Sequence, residues 1–337
     1  MKERKPFFIF LLKFILLLVL AYGAWQLLFW FLWKSEIGPD AYDNAYQRAL
    51  LRQIDAIQAP DRGPEIIVFG SSYVPYGIDT KTMEEVLSED NREDNREVQI
   101  LGIEAAIGIP YLIDTLKESV KSGDMVVYIL GESNPEDTSI MSISAALEPD
   151  KEKLLAYWDS VGGVPETYLT WRKLYALTAS GPIEAVRSRL SDKEQVYRAD
   201  SFDEKGNMTV ERIGTQISTD VSPEDTIRYE DLEEETMTAL NDFSKWCREN
   251  DVEFVIAFSP TIEGSWVEDS LMFKTFNNNV RSYMDAPVIG NFQDYELPVE
   301  YFYNHPLHLN TEGAEKYSGL LATKLKDYME NGEEEEY

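Results

Sequence analysis

The chain has 337 residues, 44% of them hydrophobic, which is enough to bury a substantial core and excludes a disordered protein. Its 31 lysines and arginines stand against 61 aspartates and glutamates, and the formal charge of -30 would repel nucleic acid from most of the surface. The single cysteine, Cys247, excludes an internal disulfide and, inside a helical pattern, reads as a small core residue.

The first element is an apolar run from Phe14 to Trp33, FILLLVLAYGAWQLLFWFLW, in which Gln26 is the one strongly polar side chain. A helix of that length reaches about 30 Å and satisfies its backbone hydrogen bonds internally, as a bilayer requires. Lys2, Arg4, Lys5 and Lys13 precede the run, whereas Asp40 and Asp43 follow it. The positive-inside rule therefore puts the N-terminus in the cytoplasm and the rest of the chain outside the cell membrane. The run continues well past the weak small-residue site at Ala21-Tyr22-Gly23, which favours a retained anchor over a cleaved signal peptide.

After the anchor, residues 40–60 read as an amphipathic helix, with Tyr46, Leu50, Ile54 and Ile57 at helical spacing. Short apolar runs at Glu65–Gly70, Val98–Ile103 and Asp124–Gly131 alternate with helical patterns at Thr80–Leu87 and Pro110–Val120. This β-α-β-α-β order implies an α/β fold, a flavodoxin-like three-layer arrangement of a parallel sheet with helices on both faces. A charged helix over about Asp231–Asn250 precedes a fourth strand at Glu253–Pro260. A helix near Val267–Met284, a short strand at Pro287–Gly290 and a closing helix from Thr311 to Met329 complete the pattern.

The repeat EDNREDNR at Glu89–Arg96 has no apolar face and reads as a solvated loop. Residues 135–230 hold helical stretches and a hairpin pattern around Met208–Ile213 but no clear sheet strand, and read as a helical insertion capping the sheet. Within it Tyr168, Trp171 and Tyr175 share a helical face, more simply a core stripe than a sugar platform. The expected organisation is a cytoplasmic N-terminus at 1–13, a transmembrane helix at 14–33, a membrane-proximal helical linker at 34–60, an outer domain at 61–330 and an acidic tail at 331–337.

Ligands of an open parallel sheet bind beyond the carboxyl ends of the strands. The first strand ends Gly70-Ser71-Ser72, the second runs into Gly102, with Glu104 and Gly108 beyond, and the third ends Gly131-Glu132-Ser133-Asn134. The only histidines, His305 and His308, stand together in YFYNHPLHLNTEGAEKYS before the last helix. A serine hydroxyl needs a base, and a neutral imidazole is the usual one; the oxyanion then formed needs N–H donors. Ser72, His308, Gly102 and Asn134 supply such a set. Each has an ordinary structural explanation as a cap, bend or turn, but their order at successive strand ends points to chemistry.

In VFGSS, GIEAAIG, GESN and HPLHLNTEGA the chain resembles the SGNH/GDSL-like hydrolase superfamily, over roughly residues 64–134 and 252–328. The resemblance implies a nucleophile at Ser72, a base at His308, and oxyanion donors at the Ser72 N–H, the Gly102 N–H and the Asn134 amide, with no cofactor and no metal. Where that family has an Asp three residues before the base, this chain has His305, preceded by Asn304; the orienting candidates are then His305, Asp294 or Glu300, or a backbone carbonyl. The second block has Ile100 in place of the usual Asn, and the third reads Glu-Ser-Asn-Pro.

A single anchor with an outer domain is most similar to the branch that includes lipoteichoic-acid D-alanylation and alginate O-acetylation proteins. That likeness implies acyl transfer to or from cell-envelope polymers beside a multispanning acyltransferase. The expectation is an extracytoplasmic serine esterase or O-acyltransferase, and the alternative is a degraded relative that binds or scaffolds. A metal-dependent hydrolase using both histidines with Glu132 or Glu104 matches no ligand spacing.

Overall fold

A computed structural model describes residues 4–34, 45–88, 96–104, 107–131, 196, 201–219, 234–265 and 271–332. The chain divides into two units, one containing the N-terminal helix and the other the described residues from Ala45 onward. The N-terminal helix, α1, runs Arg4–Lys34, and its window Phe7–Trp25 is long and apolar enough to cross a membrane, with none of that window buried. The apolar surface thus starts earlier than Phe14, because Phe7–Leu12 continue the helix and Lys13 lies within the window. Lys13 is the seventh of the 19 residues of that window, and the long stem of a lysine lets its ammonium reach away from an apolar surface.

The second unit begins with α2 (Ala45–Ile57), within the stretch read as amphipathic. It presents Ala49, Leu50, Gln53 and Ile57, all fully buried, at helical spacing. Four parallel strands follow: β1 (Glu65–Phe69), β2 (Glu97–Leu101), β3 (Met125–Leu130) and β4 (Glu253–Phe258), in the order β2-β1-β3-β4. β1 and β3 are buried at every position, which explains why they read as continuous apolar runs rather than alternating ones. Helices α3 (Tyr73–Gly77), α4 (Thr80–Ser88), α5 (Ile109–Ser119) and α6 (Glu234–Glu249) accompany the sheet. After β4 come β5 (Thr261–Ile262), α7 (Leu271–Tyr283), β6 (Glu296–Leu297), a β7 (Phe302–His305) and β8 (His308–Leu309) hairpin, and α8 (Thr311–Asn331). The short strand expected at Pro287–Gly290 is a single parallel bridge from Val288 to Ile256.

The N-terminal edge of the sheet is held by an ion cluster. Asp124 accepts two bonds from the Arg62 guanidinium at 2.9 and 2.6 Å and one from the Glu65 N–H at 2.9 Å. Burial and the nearby carboxylates raise the Glu65 carboxyl above its ordinary value, with Arg62 opposing the shift. These charges lie at the strand starts, away from Ser72 and Gly102 at the carboxyl ends.

Most of the insertion, including Tyr168, Trp171 and Tyr175, and residues 89–95 of the EDNR repeat lie outside the described residues. The hairpin expected at Met208–Ile213 stands upstream, as an antiparallel bridge from Phe202 to Met208 closed by Asp203, whose carboxylate accepts the N–H groups of Lys205 and Asn207 at 2.9 Å. Nor is this end of the insertion only a cap: Val196, Met208 and Val210 pack with Tyr46, Tyr76 and Tyr303 in one apolar cluster.

Candidate active site

Ser72 owes its position to glycines at two strand ends. The ring of Tyr73 fills the space beside Gly70 and Gly131, where a Cβ would come within 2.7 Å of a ring carbon, and its hydroxyl donates to the Ile129 carbonyl at 2.9 Å. The turn after β1 is thereby pinned to the end of β3. Ser72 sits at the N-cap of α3 but makes no capping bond; its Oγ lies 2.9 Å from His308 Nε2 instead. The neighbouring Ser71 is buried and accepts the Ser72 N–H at 2.6 Å, so the two adjacent serines have different tasks.

His308 is carried by the β7–β8 hairpin, which the last helix supports. Asn310 caps α8 by accepting the Gly313 N–H at 2.9 Å, and its amide donates back to the Glu300 carbonyl at 2.7 Å. At Gly313 a Cβ would sit 2.3 Å from the Tyr301 carbonyl oxygen, so only glycine allows this approach. The Asn and Gly of HLNTEGA are thus structural, and they hold the histidine they follow.

Asn304 Oδ1 lies 2.9 Å from His308 Nδ1. With that amide oxygen accepting, the proton resides on Nδ1 and Nε2 is free to accept the Ser72 hydroxyl proton. The register of β7 shifts between Phe302 and His305, and within that irregularity Asn304 reaches the imidazole. Burial lowers the His308 pKa from 6.5 to about 3, with smaller contributions in the same direction from neighbouring His305 and Arg212. The imidazole is neutral at physiological pH, and its protonated form is disfavoured.

The other expected groups lie as follows. His305 is exposed; its Nδ1 accepts the Leu307 N–H at 3.3 Å, and its ring centroid is 4.9 Å from that of His308. Asp294, named as an orienting candidate, is engaged elsewhere, accepting the Asn291 N–H at 2.8 Å and pairing with Lys324 at 3.1 Å. Glu300 is exposed, and its backbone carbonyl serves the Asn310 amide. The orienting position is therefore taken by Asn304, which sequence reasoning passed over in favour of the third residue before the base.

The Gly102 N–H, expected to face an oxyanion, donates to Gln53 Oε1 at 3.0 Å. Gln53 is fully buried and its own amide donates to the Gly206 carbonyl at 3.1 Å, which leaves this acceptor little freedom to withdraw. Glycine is required at 102 for a separate reason: a Cβ there would lie 2.0 Å from the Gly70 carbonyl oxygen. Asn134 and Glu132 lie outside the described residues, and Glu104 has a buried Oε1 without a hydrogen-bond partner. Among the described residues no cluster of metal-ligating side chains occurs.

Tyr76 and Arg212 were not singled out from the sequence. The Tyr76 ring stacks on the His308 imidazole at 3.9 Å and 9°. Arg212 is buried, lies with its guanidinium 5.6 Å from the Tyr76 ring centre, and donates to the carbonyls of Leu309, Val210 and Tyr76 at 3.0, 3.3 and 3.3 Å. Burial lowers its pKa, while Tyr76 and Asp79 act in the opposite sense. The only sequence signal for Tyr76 is its spacing, four residues beyond Ser72.

No family model and no curated protein matches the chain.

Proposed function

We propose that this protein is a membrane-anchored serine esterase or O-acyltransferase of the SGNH/GDSL type, facing the outside of the cell and acting on acyl esters of envelope polymers. The observation that carries the reading is the hydrogen-bonded chain Ser72 Oγ, His308 Nε2, His308 Nδ1, Asn304 Oδ1, with both links at 2.9 Å. In the reaction the Ser72 hydroxyl proton passes to Nε2 as Oγ bonds to the acyl carbon. The imidazolium then returns the proton to the departing alkoxide, leaving acyl-Ser72 for water or an acceptor hydroxyl. The Asn134 amide and the Ser72 N–H, once Ser71 rotates away, are the donors assigned to the oxyanion; the Gly102 N–H is left out because Gln53 holds it. The apolar α1 supports an anchor, and the basic residues before it support a cytoplasmic N-terminus. On this reading a multispanning acyltransferase is the fitting partner.

A second reading, a binding or scaffold protein on the same fold, draws on the same site. No carboxylate bonds to His308 among the described residues, its protonated form is disfavoured, and two N–H groups expected for an oxyanion are engaged internally. The discriminating experiment treats the full chain in detergent with a fluorophosphonate and maps the adduct. Labelling at Ser72 that is lost in Ser72→Ala and reduced at least about 10²-fold in His308→Ala is the expected result; a folded protein that takes no label favours the scaffold.

A further inference from the structure

We infer that Tyr76 is the positioning residue of the base, a flat platform that holds the His308 imidazole in line with Ser72 and is itself tethered by Tyr46 from the helix next after α1. The inference rests on the reading of His308 as general base. Its first support is register. α3 is a single short helix with Ser72 at its N-cap, and the Tyr76 N–H donates to the Ser72 carbonyl at 3.3 Å. Nucleophile and platform therefore come from one turn of backbone, and a residue four positions on lies over the same helix face.

The second support is the stack. Rings 3.9 Å apart and 9° from parallel leave no room for water between them, so one imidazole face is dry and rotation about χ2 is blocked. The hydrogen bonds to Ser72 and Asn304 fix the imidazole edge, and Tyr76 fixes its plane.

The third support is the way Tyr76 itself is held. Its side chain is fully buried, its hydroxyl lies 2.9 Å from that of Tyr46, and Arg212 donates to its carbonyl. Tyr46 packs edge-on against Phe202 with centroids 5.7 Å apart, and Arg52 on the same helix donates to the carbonyls of Phe202 and Asp203 at 3.0 and 2.9 Å. α2 and the Phe202–Met208 hairpin thus form the outer support of the platform. The charged and titratable groups that act on the stack are His305 on β7, Arg212 from the segment after the hairpin and, through Arg212, Asp79, Tyr303 and Tyr46.

The chain has only two histidines, so the imidazole nitrogens can be followed in the full-length protein labelled with ¹⁵N-histidine in detergent. Tyr76→Leu removes the platform, and the expected results are a His308 titration moved up by about a unit or more as water reaches the ring, loss of the pure Nδ1–H tautomer, and Ser72 labelling about 10- to 10²-fold slower. Tyr76→Phe keeps the stacked ring and should restore most of the tautomer preference and rate. Tyr46→Phe, altering one hydroxyl, should shift His308 in the same direction by less, and it serves if Tyr76→Leu does not fold. If wild-type Ser72 takes no label but these variants still move the His308 titration, the platform stands and the esterase reading fails. An unchanged His308 tautomer and titration in the folded variants overturns the inference.

Discussion

At the scale of single residues, the distinguishing feature is a neutral amide where a triad would have an acid. Asn304 Oδ1 can select the tautomer, but on the proposed mechanism it would bring no negative charge to the imidazolium formed as Ser72 gives up its proton. Asn304→Asp would supply that charge at the same distance. It should raise the His308 pKa and increase the rate of Ser72 labelling by about 10²–10⁴, measured with the fluorophosphonate; an unchanged or lower rate would mean that proton transfer does not limit the reaction. The linked stability change has a definite sign. With a folded-state pKa of about 3 against 6.5, His308 binds fewer protons folded than unfolded, so its contribution is present above about pH 6.5 and is lost as pH falls towards about 3. Asn304→Asp should make that acid loss smaller, read as thermal midpoint against pH.

At the scale of elements, two glycines of α8 test whether the hairpin depends on the helix behind it. Gly313→Ala would force a methyl group onto the Tyr301 carbonyl, and the expected cost is about 1–3 kcal/mol together with slower Ser72 labelling, since the hairpin carries His308. Gly319→Ala meets nothing within 4 Å and should stabilise by about 0.5–1 kcal/mol through helix propensity alone, without affecting labelling. Thermal melts and labelling rates of the two variants decide the matter, and equal losses would contradict the assignment. Strands and long helices were legible because their burial is periodic or complete: β1 and β3 are buried throughout, and α2 shows its core face at Leu50 and Ile57. The pairing of Ser72 with His308 was legible because a serine after the first strand and a histidine before the last helix are local patterns. Asn304 was not, since its approach depends on a register shift in β7 that no spacing rule encodes. Gln53 was hidden for a similar reason: its partners Gly102 and Gly206 are distant in sequence.

At the scale of the whole molecule, the apolar α1 and the acidic remainder divide the chain into a segment suited to lipid and one suited to water. On the proposed orientation, protease added to intact cells should digest the bulk of the chain and leave a short fragment ending near the apolar helix; full protection of the C-terminal region would reverse the topology. The link between Ser72 and His308 closes a loop of 236 residues, and Asp79 similarly reaches Ser318 across 239. On the proposed function, the nucleophile would emerge from the ribosome long before its base. On that reading, a nascent chain would carry Ser72 as an ordinary alcohol until the β7–β8 hairpin and α8 dock. Reactivity at Ser72 would then be switched on by the docking of that hairpin, and a copy lacking β7, β8 and α8 would be inert towards the fluorophosphonate.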